Sequence, residues 1–278
     1  MLGYRTSSLF HFTKKIDVLL KILETGLIPN FCKENLNYYD RERIVGVPMV
    51  SFCDIPLTRT SEFKQRYGDY AVGLNKEWAI RNKINPILYV NNDDILVSLG
   101  FFNAVYKDYL NQLKTLGGTE NGITLNGSIA QFTEGIKMLV NMSNAKDAVY
   151  TLYGYVKRMD GQGPEGGKQS NYLENEWRYV VTGDGIDWKW SEEEYKKWRG
   201  WRNRNKPVPS DALVGKKLKF TVEDISHIIV KTEKEVDEIA DALLSINHLG
   251  GNEDILDLGQ RKLMLTKIIS QEKIEKDF

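Results

Sequence analysis

Residues 8–29 read SLFHFTKKIDVLLKILETGLIP. The first five, Ser8–Phe12, form an apolar run interrupted by His11, as a short strand would. Thr13 is placed to cap a helix, and the apolar positions Ile16, Leu19, Leu20 and Leu23 then recur on one helical face. Asp17 lies near the positive end of that helix, and Gly26 supplies its stop. A histidine in such a strand is either packing at a strand end or one wall of a nucleotide pocket. The remainder of the chain decides between these.

Moving outward, residues 30–46 are polar and read as a loop. VPMVSFCDIP (47–56) is a strand bracketed by Pro48 and Pro56, whose alternation puts Met49, Ser51 and Cys53 on one face. DYAVGL (69–74) predicts a strand, NKEWAIRNK (75–83) a short helix, and PILYV (86–90) a further strand. From Asn92 to about Met159 the period becomes helical, in two amphipathic segments at 93–116 and 128–159. DGQGPEGGKQSN (160–171) holds four glycines and a proline and reads as a loop. YLENEWRYVVT (172–182) follows as a strand. The tail gives KKLKFT (216–221) as a strand, VEDISHIIV (222–230) as a turn into a buried strand, TEKEVDEIADALLSI (232–246) as a helix and RKLMLTKIIS (261–270) as a strand.

Composition narrows the function. The chain has 278 residues, with 38 basic against 38 acidic side chains, so a protein that coats nucleic acid uniformly is not expected. Cys32 and Cys53 have neither metal-ligand nor disulfide spacing, which predicts reduced thiols. MLGYRTSS lacks the charged and apolar regions of a signal peptide, and no stretch approaches the ~20 apolar residues of a membrane span. A cytoplasmic protein with no membrane contact is expected. His11, His227 and His248 lie far apart, so no metal centre is predicted. The sequence has no P-loop, no dinucleotide-binding glycine fingerprint and no nucleophile elbow.

Two features could carry chemistry. The segment Trp188–Lys206 mixes tryptophans with basic residues, as surfaces that stack single-stranded nucleic acid do. The same spacing suits an amphipathic helix begun by Ser191 and Glu192–Glu194, with Trp198 and Trp201 packed on the body; tryptophans at i, i+3 usually bury, which makes that the expected arrangement. Secondly, Glu174 and Glu176 enter a strand two residues apart, where both carboxylates can face one cleft. Solvated charge at a strand start has the same pattern.

Taken together, FHFTKKIDVLLKILETGLIP, VSFCD, YGDYAVGL and a late Glu-bearing strand resemble the ADP-ribosyltransferase fold. More closely, HFT, VPMVSFCDIPL, YGDYAVGLNKEW and INPILYV are similar to the AbiGi family of bacterial abortive phage-infection proteins, over roughly the first ninety residues. The resemblance implies an α+β protein with an ADP-ribosyltransferase-like split β-sheet core. Its N-terminal half would be residues 1–91, a helical insertion 92–160, and its C-terminal half 161–278. It further implies NAD as substrate, with His11 and Thr13 on the adenosine-side ribose and Tyr67 or Tyr70 stacked on nicotinamide. Ser51 would order Glu176, which would face the charge developing at the breaking glycosidic bond, and Glu174 would orient the acceptor. The family's histidine class carries Tyr where this chain has Ser51. An abortive-infection effector that modifies a macromolecule is the expected function. The alternative is an inactive, antitoxin-like or phage-sensing module that binds a protein partner of a defence or toxin–antitoxin system.

Overall fold

The structure is a computed structural model. It describes residues 6–277 outside the segments 38–43, 116–117, 120–121, 124–128, 163–167, 184–185, 187, 189–190 and 206–210. The principal elements run β1 (Ser8–Thr13), α1 (Ile16–Thr25), β2 (Asn30–Asn35), β3 (Ile44–Cys53), β4 (Tyr70–Asn75), α2 (Lys76–Arg81), β5 (Asn85–Pro86), β6 (Leu88–Val90), α3 (Asp93–Thr115) and α4 (Ile129–Gly154). They continue with β7 (Val156–Arg158), β8 (Glu176–Val180), α5 (Glu192–Asn205), β9 (Ile225–Val230), α6 (Lys234–Ser245), α7 (Leu258–Leu265), β10 (Ile268–Ser270) and α8 (Gln271–Asp277). This is an α+β chain built on one sheet of order β10-β9-β4-β1-β3-β8-β5, with β2 also paired to β3. Within that sheet only β9 and β10 run parallel.

Strand alternation gives each face of the sheet a core. Leu9, Val50, Phe52, Val72 and Ile228 pack with Leu19 and Leu23 of α1, Trp78 of α2 and Ile239 and Leu243 of α6. Phe10, Cys53, Ala71 and Ile229 face the other way, against Ile55, Phe63 and Ile274 of α8. The helical hairpin α3/α4 roots on a third cluster, in which Leu96, Leu99, Val149 and Tyr153 meet Val45, Val47 and Met49 of β3. Asn75 caps α2, its side chain accepting from the Trp78 N–H at 2.7 Å. Asn75→Ala is expected to lower stability by about 1 kcal/mol, read as a shift of the urea midpoint at unchanged slope.

Several local expectations are corrected. The predicted loop at 30–46 contains β2, which pairs antiparallel with β3 from Asn30↔Met49 to Asn35↔Ile44. Its polar sequence, NFCKEN, hid a strand whose ladder comes from its neighbour. Pro48 does not bound β3 but lies within it; its carbonyl accepts from the Val181 N–H at 2.9 Å, so the one backbone group proline retains is used. Thr13 ends β1 instead of capping α1, whose N-cap is Lys15 without a side-chain bond. Residues 216–221 form no strand. Leu218 and Phe220 bury at alternate positions as a strand would, but Leu218 makes an isolated bridge to Leu27 while the Phe220 N–H donates to the Gly250 carbonyl at 3.3 Å. PILYV is divided between β5 and β6, and the segment 261–270 between α7 and β10.

Candidate functional site: a pocket at a split in the sheet

The pocket follows from how β3 is paired. On one edge β8 pairs with it from Met49 to Cys53. On the other edge β2 takes the half that ends at Met49, and β1 meets it at the single pair Phe10↔Cys53. Between those two contacts the edge at Val50–Phe52 carries no strand, so the sheet is open there. His11 bridges the gap: its Nδ1 lies 2.9 Å from the Ser51 carbonyl oxygen. A carbonyl can only accept, so Nδ1 carries the proton and Nε2 is the acceptor of the neutral ring. Burial lowers the His11 pKa against the opposing pull of that hydrogen bond, which favours the neutral ring.

A cavity of about 50 Å³ lies at this split, lined by Phe10, His11, Phe12, Ser51, Phe52, Cys53, Tyr67, Glu174 and Glu176. The structure thus brings His11, Ser51, Tyr67, Glu174 and Glu176 together. The other candidates lie apart. Thr13 is buried at the far end of β1, opposite Tyr70, and does not line the cavity. Tyr70 packs with the α1 side of the core and donates its hydroxyl to Glu235 at 2.8 Å. Of the two tyrosines, Tyr67 is the one at the pocket, stacked on Phe12 with centroids 6.3 Å apart.

The carboxylates converge by a route other than strand alternation. Glu174 closes a single helical turn, Tyr172–Glu174, and Asn175 adopts a left-handed conformation, φ 44°. Glu176 then begins β8 directly opposite Cys53. Asparagine is among the few residues that adopt this conformation readily, and here it turns the chain so that both acids reach one cavity.

Four further charges, none of them singled out from the sequence, surround the pair. Arg178 is fully buried; its Nε and Nη2 donate to the two oxygens of Glu176 at 2.7 and 3.1 Å. Its Nη2 also reaches Glu34 of β2 at 2.9 Å, and its Nη1 donates to the Gly154 carbonyl at 2.8 Å. Lys157 bridges Glu174 and Glu176 at 3.0 and 2.8 Å. Arg66 pairs with Glu174 and donates to Asn171 at 3.0 Å, its guanidinium 5.1 Å over the Tyr67 ring. Three acids (Glu34, Glu174, Glu176) therefore face three bases (Arg66, Lys157, Arg178) in one balanced lattice. A strand face bearing Glu176 and Arg178 two residues apart was the available sequence signal for it.

The electrostatics follow. Burial alone would raise the Glu176 carboxyl, but Arg178 and then Lys157 outweigh it and hold it well below the usual carboxylate range. Burial raises the Cys53 thiol, and the two glutamates raise it further, which favours the protonated thiol over the thiolate. Burial likewise raises the Tyr67 hydroxyl, with Glu174 adding to it. Because the Glu176 pKa is lower folded than unfolded, its contribution is present above the ordinary value and lost as pH falls below it. Stability is expected to drop by roughly 3 kcal/mol between pH 4.5 and about 2. Glu176→Gln should flatten that part of the acid profile, measured by urea unfolding at each pH.

In the Trp-rich segment, Trp188 is buried and donates its indole N–H to the Val181 carbonyl at 3.2 Å. Trp198 packs edge-on against Phe31 at 5.1 Å. These two rings pack on the body, contrary to an exposed stacking surface. Lys189, Trp190, Lys206 and the side chains of Trp201, Arg202 and Arg204 lie outside the described residues. Among the described residues no group of His, Cys, Asp or Glu is placed to hold a metal ion, and no helix is long and apolar enough to cross a membrane.

No solved structure matches the chain. Among curated proteins it is 24% identical over 168 residues to the abortive phage resistance protein AbiGi of Lactococcus lactis subsp. cremoris, which covers 56% of this chain and 61% of that protein. The chain thus spans about three fifths of the relative's length. The model of a family described as "abortive phage resistance protein AbiGi, antitoxin" matches residues 25–231, which takes in β2 through β9 and every pocket residue outside β1. On that match, which extends over most of its length, the chain belongs to the AbiGi family of abortive phage resistance proteins.

Proposed function

We propose that the chain acts as an antitoxin-like member of an abortive-infection system, by holding a partner protein and without turning over a nucleotide. The observation that carries this reading is the occupation of the pocket carboxylates. Transfer of a glycosyl group needs a carboxylate free to face the positive charge that develops on the substrate. Glu176 instead gives both oxygens to Arg178 and Lys157, and Glu174 accepts from Lys157 and is ion-paired with Arg66. Room supports the same reading. The cavity left between these side chains is small, about 50 Å³, which agrees with a pocket filled by its own charges. The antitoxin description of the family agrees with it. The test is co-expression with the product of the neighbouring gene, if that product arrests growth by itself. Growth restored by this chain, with no heat of NAD binding in calorimetry, is the expected result; arrest that persists overturns it.

One observation favours a second reading, an NAD-dependent ADP-ribosyltransferase with the corresponding split-sheet fold: His11, Ser51, Glu174 and Glu176 line one pocket at the break in the sheet. Incubation with labelled NAD and cell lysate separates the two. Label transfer that disappears in Glu176→Gln would establish the transferase and displace the binding reading.

A further inference from the structure

Charge balances over the whole chain but not along it. Residues 234–263 hold seven carboxylates against three bases, in a chain of net charge zero. The stretch comprises α6, most of α7 and the loop between them. Helix α6 buries Ile239 and Leu243 against the sheet and leaves Asp237, Asp241 and Leu244 exposed along one line, at i, i+4 and i+7. Leu244 is 40% exposed, Ile255 74% and Leu258 61%. Arg261 ties together the backbone beside these three. Its guanidinium donates to the Leu244 carbonyl and, at 3.3 Å, to the Leu256 carbonyl. The Leu256 N–H in turn donates to the Asn247 carbonyl at 3.0 Å. The end of α6, the loop and the first turn of α7 are thereby held as one surface. Arg261 is occupied by these carbonyls, and Lys234 and Lys262 are exposed on the same two helices. Even so, among the described residues Asp237, Asp241, Glu253 and Asp254 form no ion pair. The surface is apolar at its centre and bordered by carboxylates without a counter-charge.

We infer that it docks a basic, amphipathic segment of a partner protein, which rests on the binding reading proposed above and gives that partner its chemistry. Charge complementarity selects the occupant. A nucleic acid or an anionic bilayer would bring phosphates against Asp237, Asp241, Glu253 and Asp254. A second copy docked through the same surface would set a net negative face against its equal. An uncharged apolar partner would cover Leu244, Ile255 and Leu258 but desolvate the carboxylates beside them without compensation. A helix with Lys or Arg one turn apart avoids all three penalties. Its cations meet Asp237 and Asp241, about 6 Å apart along α6, and its next apolar turns cover Leu244, Ile255 and Leu258.

The probe is a synthetic helical peptide with two lysines one turn apart followed by a leucine stripe. Fluorescence anisotropy compares it with a twin carrying glutamates in place of the lysines. The lysine peptide is expected to bind the full chain at least about tenfold more tightly than its twin, with affinity falling as salt is raised. The double variant Asp237→Lys, Asp241→Lys should reverse that preference. Ile255→Glu should weaken binding of the lysine peptide at least about tenfold with the thermal midpoint unchanged, since the side chain is exposed. Equal binding of the two peptides, or binding indifferent to both variants, overturns the inference. So does a dimer in light scattering that Ile255→Glu breaks, because the occupant is then a second copy. In the growth assay, rescue by wild type that the double variant retains overturns this surface while leaving the binding reading intact. Failure of wild type to rescue overturns the reading itself.

Discussion

Arg178→Met is expected to lower the unfolding free energy by about 3–5 kcal/mol, the range found when one partner of a buried charge pair is removed. Methionine fills much of the space but returns none of the bonds. Glu34 and the Gly154 carbonyl lose this donor at a buried site, and Glu176 is left with Lys157 alone. Arg178→Lys should rescue little, since a single ammonium cannot reach three acceptors held by a planar fork. The origin of the loss is separable. Adding Glu34→Gln and Glu176→Gln to Arg178→Met removes the stranded charges and should recover at least about 1 kcal/mol. A triple variant no more stable than Arg178→Met would show that packing, and not stranded charge, sets the effect. Guanidinium unfolding followed by tryptophan fluorescence measures all of these.

Gly68→Ala should lower stability by about 3–4 kcal/mol, from two sources acting together. Gly68 has φ +115°, a conformation that L side chains rarely adopt. A Cβ there would also lie 2.2 Å from the Thr13 carbonyl oxygen, and neither backbone can yield without moving β1 or the turn. The glycine ends the helical turn Lys64–Tyr67, its N–H donating to the Lys64 carbonyl at 2.8 Å, and so places Arg66 and Tyr67 over the pocket. The substitution is therefore expected to expose Cys53, which packs in the same cluster as Phe63 and Tyr67. Its alkylation by iodoacetamide should accelerate at least tenfold. A lower stability with Cys53 still protected would mean that the turn shifts as a unit and keeps the pocket closed.

What the sequence disclosed was whatever has a local cause. Helix α1, its stop at Gly26 and the long helices α3 and α4 follow from periodicity and punctuation, although α4 ends at Gly154 and the last residues of the segment expected to be helical, 156–158, form β7 beside β6. The meeting of His11, Ser51, Glu174 and Glu176 at one place was also expected, though the glutamates arrive through the left-handed Asn175 and not by alternation along a strand. What stayed hidden depends on partners distant in the chain. Strand β2 has no apolar pattern of its own and exists because β3 supplies its ladder. Lys157, Arg66 and Glu34 come from three separate segments to meet Glu174 and Arg178. In a chain with 38 bases and 38 acids, nothing local marks which of them will be buried together.

The pairing of β4 with β9 bears on how the molecule is made. Residues 70–75 must find residues 225–230, and roughly 150 residues of chain lie between them. Such separations raise the contact order and slow folding, because loop closure must precede any gain from the contact. At 5–20 residues per second a ribosome needs roughly 8–30 s to make that intervening stretch. Throughout that interval β4 has β1 on one side and a bare row of backbone donors and acceptors on the other, a template for wrong partners. The sheet can close only once β9 has been made, which ties the yield of folded protein to how that open edge is shielded until then.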